Sequence, residues 1–158
     1  CHSEAVRPEI AKAAEYVDLP ALYKESDGIT YHLPLTSATR HMLNREALAG
    51  MKDGVILVNT ARGELFETEA LIEGVENRKI GALAMDVFEG EDGIYHVDRT
   101  DDILRNRNMA YLRQFPNVVL TQHMAFYTML SMESMIENSV EGLLGFIRSG
   151  QTKFEVKF

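Results

Sequence analysis

Val55-Ile56-Leu57-Val58-Asn59-Thr60-Ala61-Arg62-Gly63 decides the fold. The run is apolar, rich in β-branched residues and opened by Asp53-Gly54, and it is too short for a helix of ordinary length. It predicts a strand buried on both faces, the kind that parallel sheets use. Such a strand delivers Arg62 at its C-terminal end. In open α/β sheets ligands bind along that edge, where a guanidinium is well placed to grip a carboxylate with two parallel hydrogen bonds. The position also suits an arginine that caps a neighbouring helix or pairs at the surface, and the run alone leaves both readings open.

Upstream, Gly28-Ile29-Thr30-Tyr31-His32-Leu33 alternates and stops at Pro34, which predicts a second strand. His32 reads as a partly buried sheet histidine rather than a ligand, because no second metal-type residue lies near it in sequence. Before this strand, Pro8 to Tyr16 predicts a short helix, Tyr16 to Leu19 a short strand, and Pro20 to Glu25 another helical turn. After it, Thr36 to Met51 predicts a helix with Met42, Leu43, Leu48 and Met51 on its apolar face. Beyond Gly63, Thr68 is the expected cap of a helix that ends near Asn77. Ile80 to Val87 and Asn117 to Thr121 are the remaining strands. Helices of this length between strands imply right-handed parallel crossovers, so the expected class is α/β with a doubly wound parallel sheet. Met132, Met135, Ile136, Val140, Leu143, Leu144 and Ile147 follow helical spacing and predict a C-terminal helix whose stripe packs into a core, with part of the surface it is meant to meet expected to be absent from this chain.

Composition narrows the function. With 158 residues and 46% hydrophobic content the chain can bury a core, as one domain or a piece of a larger one. A net charge of -8 argues against a nucleic-acid partner and against an anionic membrane surface, since no basic stripe exists to displace counterions. No apolar run reaches a membrane span of about 20 residues. Cys1 is the only cysteine, so a disulfide framework and a thiolate metal cluster are not expected, and a reducing cytoplasm is. The chain opens on Cys1 rather than methionine, which suggests processing, truncation or an incomplete record.

Three strand ends converge in this scheme. Besides Arg62, the Ile80 strand runs into Asp86 and then Glu91, and the Asn117 strand runs into Gln122-His123. A carboxylate beside an imidazole fixes its tautomer and favours its protonated form, as a proton donor near neutral pH requires. Each residue also has a plainer reading. Glu91 sits in the acidic run Glu89-Gly90-Glu91-Asp92, of a kind that is usually a solvated loop, and His123 alone suits a structural role.

At these residues the sequence resembles a known family. Asn59 to Gly63, Met85-Asp86-Val87-Phe88-Glu89-Gly90-Glu91, and Pro116 to Thr128 are similar to the signature blocks of the D-isomer-specific 2-hydroxyacid dehydrogenases, closest to the D-lactate dehydrogenase branch. His32 to Thr36, Thr39 to Asn44 and the insertion from Gly93 to Gln114 support the resemblance, which runs in order from about Tyr16. It implies that Arg62 binds the carboxylate and carbonyl of a small 2-oxo acid, that His123 donates the proton, and that Glu91 pairs with His123. It implies cofactor-lining positions at Leu33, Pro34, Thr39, Thr60, Ala61 and Asp86, with NAD as the cofactor.

Two departures qualify the resemblance. Gln122 stands where the family usually has proline or a small polar residue, and no Gly-x-Gly-x-x-Gly occurs in the chain. The family places that phosphate-cradling turn upstream of what would be Cys1, so the expectation is a C-terminal half: residues 1–126 as the later part of a dinucleotide-binding domain, and 127–158 as a helical segment that returns to the substrate domain. An incomplete Rossmann-like sheet would leave the Gly28 strand as an edge, so a homo-oligomer or pairing with a missing N-terminal half is expected. Two function classes follow: an NAD-dependent oxidoreductase inactive as this chain alone, or a truncated member kept for assembly or regulation.

Overall fold

The apolar run lies inside a parallel sheet. In the computed structural model, which describes residues 12–95, 98 and 106–155, β1 (Gly28–Tyr31), β2 (Val55–Asn59), β3 (Ile80–Met85) and β4 (Val118–Leu120) pair in that order. The register sets Ile29 beside Leu57, Leu57 beside Leu83 and Leu83 beside Val118. Two residues further on, Tyr31, Asn59, Met85 and Leu120 form a second row. Side chains alternate across a strand, so both rows face the same side. That side is the core, where Leu43, Leu57, Leu65, Phe66, Leu71, Leu83, Met109 and Leu112 are buried and Tyr31 meets Phe66 edge-on at 4.7 Å.

Helix α1 (Leu19–Glu25) precedes β1, and α2 (Arg45–Ala49), α3 (Thr68–Glu76) and α4 (Arg107–Leu112) connect the successive strands. Helix α3 buries Ala70, Leu71, Gly74 and Val75, a stripe of helical spacing. Gly74 allows its close approach to the sheet, because a Cβ there would lie 2.7 Å from Ile80 Cδ1 and 3.3 Å from Leu48 Cδ1.

The opposite face of the sheet departs from expectation. Ile56 is 49% exposed and Val119 58%, with Val58, Ala82 and Ala84 half-buried between them. The strand predicted to be buried on both faces is thus covered on one, because within the described residues the connecting helices serve only the Leu57 side. Strand β1 is the edge of the described sheet, as the missing-strand expectation required.

Several local expectations are corrected. Tyr16 to Leu19 is not a strand: Asp18 is the N-cap of α1, its carboxylate accepting from Ala21 N at 2.9 Å, and Leu19 is already helical. The helix expected over Pro8 to Tyr16 falls partly outside the described residues, and Lys12 to Tyr16 is turn and irregular chain. The helix expected over Thr36 to Met51 shrinks to Arg45–Ala49. Residues 37–41 form a turn in which His41 adopts φ 51°, and Leu43 then bridges across the fold, donating its N–H to Leu65 O at 3.1 Å, before Asn44 caps α2. Thr68 is the first residue of α3 rather than its cap, which is Glu67. His32 is exposed, with Nε2 2.8 Å from Thr30 Oγ1. Strand β3 stops at Met85, two residues short of Val87.

The chain divides into two compact units, Cys1–His123 and Met124–Phe158. The second is built on α5 (Met129–Ser149), capped by Thr128 at one end and by Gly150, at φ 69°, at the other. Its apolar stripe is not core: no residue of the helix is buried, and Met135, Ile136, Val140, Leu143 and Ile147 are all more than half exposed. Within the unit, the segment after Gly150 folds back so that Phe154 lies against Gly142.

Candidate active site at the carboxyl edge of the sheet

Parallel strands bring the segments after β1, β2, β3 and β4 to one edge. At the end of β2, the fully buried Asn59 replaces the backbone partners that the sheet no longer supplies. Its Nδ2 donates to Arg62 O at 2.8 Å and its Oδ1 accepts from Ala61 N at 3.0 Å, closing a turn over Thr60-Ala61. Arg62 emerges from that turn exposed, its Nη1 donating to Ala61 O at 2.7 Å.

The segment after β3 rests directly on this turn. A Cβ on Gly63 would lie 2.1 Å from Phe88 C and 2.3 Å from Glu89 N, so only glycine fits. Asp86 N donates to Asn59 O at 3.0 Å, prolonging the ladder, and its buried carboxylate accepts from Thr121 Oγ1 at 2.5 Å. The chain then turns at Phe88 to Glu91, with Glu91 N donating to Phe88 O at 3.1 Å and Glu91 Oε2 accepting from Phe88 N.

His123 completes the edge. It sits in the left-handed region at φ 55°, held by its N–H to Asp86 O at 2.7 Å, and its Nδ1 lies 2.5 Å from Glu91 Oε1. A carboxylate only accepts, so this bond puts a proton on Nδ1 and assigns Nε2 to the outer end of the ring. Both side chains are partly shielded, at 35% and 17% exposure. The structure therefore joins Glu91 to His123 and sets Arg62 on the neighbouring segment of the same edge.

The other sequence-predicted positions divide into two kinds. Pro34 and Thr60 are exposed on this edge, with Leu33 and Ala61 half-buried beside them. Thr39 is buried and works inside its own segment: its hydroxyl donates to Pro34 O at 2.7 Å and accepts from Thr36 N at 2.8 Å. It shapes the chain that carries Leu33 and Pro34. Among the described residues, no group of three His, Cys, Asp or Glu could hold a metal ion.

Residues 2–125 match the family description "D-isomer specific 2-hydroxyacid dehydrogenase, NAD binding domain". The chain belongs to the D-isomer-specific 2-hydroxyacid dehydrogenases. It is 43% identical to an aromatic 2-oxoacid reductase of Clostridium sporogenes over 92% of this chain and 45% of that protein. It is 41% identical to a D-lactate dehydrogenase of Escherichia coli, over 87% of this chain and 42% of that one. Among solved structures, a D-lactate dehydrogenase from Treponema pallidum overlays with a TM-score of 0.92 at 31% identity, covering 99% of this chain and 47% of that one. One from Aquifex aeolicus, complexed with NAD and lactic acid, overlays with a TM-score of 0.85 at 32% identity, covering 98% and 49%. The chain thus spans less than half the length of these relatives, and its parallel sheet is the later part of a Rossmann-like α/β fold.

In a dehydrogenase of this family the cofactor is NAD. The donor set suits one end of that molecule. Small or apolar residues at Leu33, Pro34, Thr60 and Ala61 offer surface for a planar ring, and the buried Asp86 carboxylate lies behind them on the same edge. The sequence contains no glycine-rich turn for the pyrophosphate.

Sequence reasoning missed a second carboxylate–imidazole pair. His41 Nε2 lies 2.7 Å from Glu89 Oε1, and Thr68 Oγ1 donates to Glu89 Oε2 at 2.9 Å. Burial pushes the Glu89 carboxyl up, but the hydrogen bonds from His41 and Thr68 outweigh it and hold the group below the usual glutamate range. In the acidic run around Gly90 the two glutamates are thus engaged and partly shielded, while Gly90 and Asp92 are exposed. The available signal was two acids flanking a glycine in a chain that also carries His41 and His123.

Proposed function

We propose that this chain supplies the catalytic edge of an NAD-dependent enzyme that interconverts a small 2-oxo acid and a D-2-hydroxy acid, as a D-lactate dehydrogenase does. The 2.5 Å pairing of His123 Nδ1 with Glu91 Oε1, beside the segment that presents Arg62, carries this reading. Arg62, always charged, holds the substrate carboxylate and draws the carbonyl toward the histidine. Leu33, Pro34, Thr60 and Ala61 would line the bound NADH, with the buried Thr39 and Asp86 supporting that surface from behind, and the cofactor would supply the hydride that the carbonyl carbon accepts. His123 gives the proton on Nε2 to the carbonyl oxygen, and Glu91 stabilises the ring while it carries that extra proton. Anchoring and proton donation from fixed segments let both transfers share one geometry.

The same reading assigns residues 1–126 to a dinucleotide-binding domain and 127–158 to a helical segment that returns to the substrate domain. It places the enzyme in a reducing cytoplasm. The exposed edge of β1 and the open Ile56–Val119 face support assembly, either with the first half of such an enzyme or with a second copy. Lacking a pyrophosphate turn, this chain alone is expected to show no turnover and no tight NADH binding. NADH consumption by the intact protein with pyruvate, and NAD reduction with D- but not L-lactate, test the activity. Wild-type turnover in His123→Ala would refute the assignment. Retained assembly with no turnover in the intact protein would instead favour a non-catalytic module.

A further inference from the structure

We infer that Glu89 is a positioning residue, whose carboxylate fastens together the segments that carry Arg62 and Glu91 and so sets the geometry of the Glu91–His123 pair. The inference rests on the function proposed above for that pair, and its main test does not depend on turnover.

Glu91 has no rigid element of its own. It hangs from the four-residue turn at Phe88 to Glu91, whose only internal bonds are those between Phe88 and Glu91 described above. The buried Phe88 ring and Ile94 N, which donates to Glu91 O at 2.9 Å, also hold the turn, but among the described residues its polar side-chain ties to the segments after β1 and β2 run through its second residue. The Glu89 carboxylate meets His41 through Oε1 and Thr68 through Oε2, with Arg40 Nη1 3.8 Å away. Its carbonyl accepts from Asn106 Nδ2 at 3.1 Å, and its backbone N lies over Gly63.

The two side-chain partners are themselves tied to the segment after β2. His41 donates its N–H to Glu64 O at 2.8 Å, two residues beyond Arg62, and Thr68 opens α3 four residues later. One carboxylate thus bridges the segments following β1, β2 and β3. The anchoring group and the partner of the proton donor are held at a fixed separation through it. The charged groups around it are Arg40 and His41 from the first segment, Glu67 and Glu69 at the start of α3, and Glu91 on its own turn.

Glu89→Ala and Glu89→Gln in the intact protein test this. Glutamine can still accept from His41 and donate to the Thr68 hydroxyl; alanine can do neither. The spectroscopic readout is the proton resonance of His123 Nδ1–H, which a short bond to a carboxylate moves far downfield and which His123→Gln identifies by its loss. The expected result is that Glu89→Ala abolishes this resonance or returns it upfield, and Glu89→Gln restores it. In parallel, kcat/KM for the 2-oxo acid falls roughly ten- to hundredfold in the alanine variant, with NADH affinity unchanged.

An unchanged downfield resonance in folded Glu89→Ala overturns the inference whatever the turnover. Absence of turnover in the wild type with the resonance behaving as expected would overturn the proposed function and leave the positioning role standing. If the alanine variant does not fold, Thr68→Val removes one arm of the clamp at constant shape, and the same resonance decides: an upfield shift supports the role, none refutes it.

Discussion

Replacing Gly63 by alanine perturbs the site without touching any residue that binds or reacts. The added Cβ would meet Phe88 C at 2.1 Å, Glu89 N at 2.3 Å and Phe88 O at 2.6 Å, all backbone atoms that no rotamer change can move. To reach the 3.4 Å of ordinary contact, the segment after β3 must retreat by more than 1 Å. Overpacking of this kind costs about 1–3 kcal/mol of stability. The same retreat carries Glu91 away from His123, and a displacement of about 1 Å in a catalytic group costs on the order of 100-fold in rate. Gly81→Ala is the control: its Cβ would lie 2.4 Å from Gly54 O, a somewhat milder backbone clash at the opposite end of β3. In the intact protein, urea unfolding should weaken in both variants, while kcat at saturating substrate should collapse only in Gly63→Ala. Wild-type kcat in folded Gly63→Ala, or equal losses in the two, would refute the reasoning.

Leu57→Ala, at a fully buried position in the centre of the sheet, should cost about 2–5 kcal/mol in chemical denaturation. Arg62→Ala should raise KM for the 2-oxo acid, and Arg62→Lys should not restore it, because an ammonium cannot make the bidentate grip; steady-state kinetics with pyruvate checks both. Glu91→Gln leaves the imidazole with a neutral acceptor, so kcat for 2-oxo acid reduction should fall with KM little changed in steady-state kinetics. The Glu89 carboxyl is held below its ordinary value of 4.5, so its contribution to stability is present above that pH and is lost as the pH falls through the folded-state value. Acid unfolding should therefore begin at higher pH in Glu89→Gln than in the wild type, as followed by circular dichroism.

The parallel sheet was legible because its strands are continuous apolar runs, and a period-free run bounded by glycine and polar residues has few other homes. The Arg62, Glu91 and His123 positions were legible for a related reason: each falls just after such a run, and parallel pairing places all three on one edge. What the sequence concealed depends on non-local partners. Thr36 to Met51 has a helical pattern, yet the Leu43 N–H finds Leu65 O across the fold, and a long-range bond outweighs a weak local preference. Tyr16 to Leu19 looks extended, but Asp18 gains more as a cap. His41 and Glu89 lie 48 residues apart, each plain in its own neighbourhood, and only the crossover brings them within 2.7 Å. Burial of Ile56 and Val119 was overestimated because an apolar run reports what a strand is suited to meet, whatever lies over it in this chain.

The strand order also governs how the sheet assembles. Each strand pairs with the one that follows it in the chain, Ile29 with Leu57, Leu57 with Leu83 and Leu83 with Val118, so every step closes a loop of roughly 25–35 residues. Closure entropy varies only logarithmically over that span, so no single step is much harder than the next. Growth can proceed along the polypeptide one crossover at a time, as it emerges during synthesis, with modest contact order for a parallel sheet. The ladder's vulnerability is correspondingly uneven. A lesion in β4 severs one pairing and leaves the preceding strands registered, whereas a lesion in β2 severs two and strands β1 with no neighbour among the described residues.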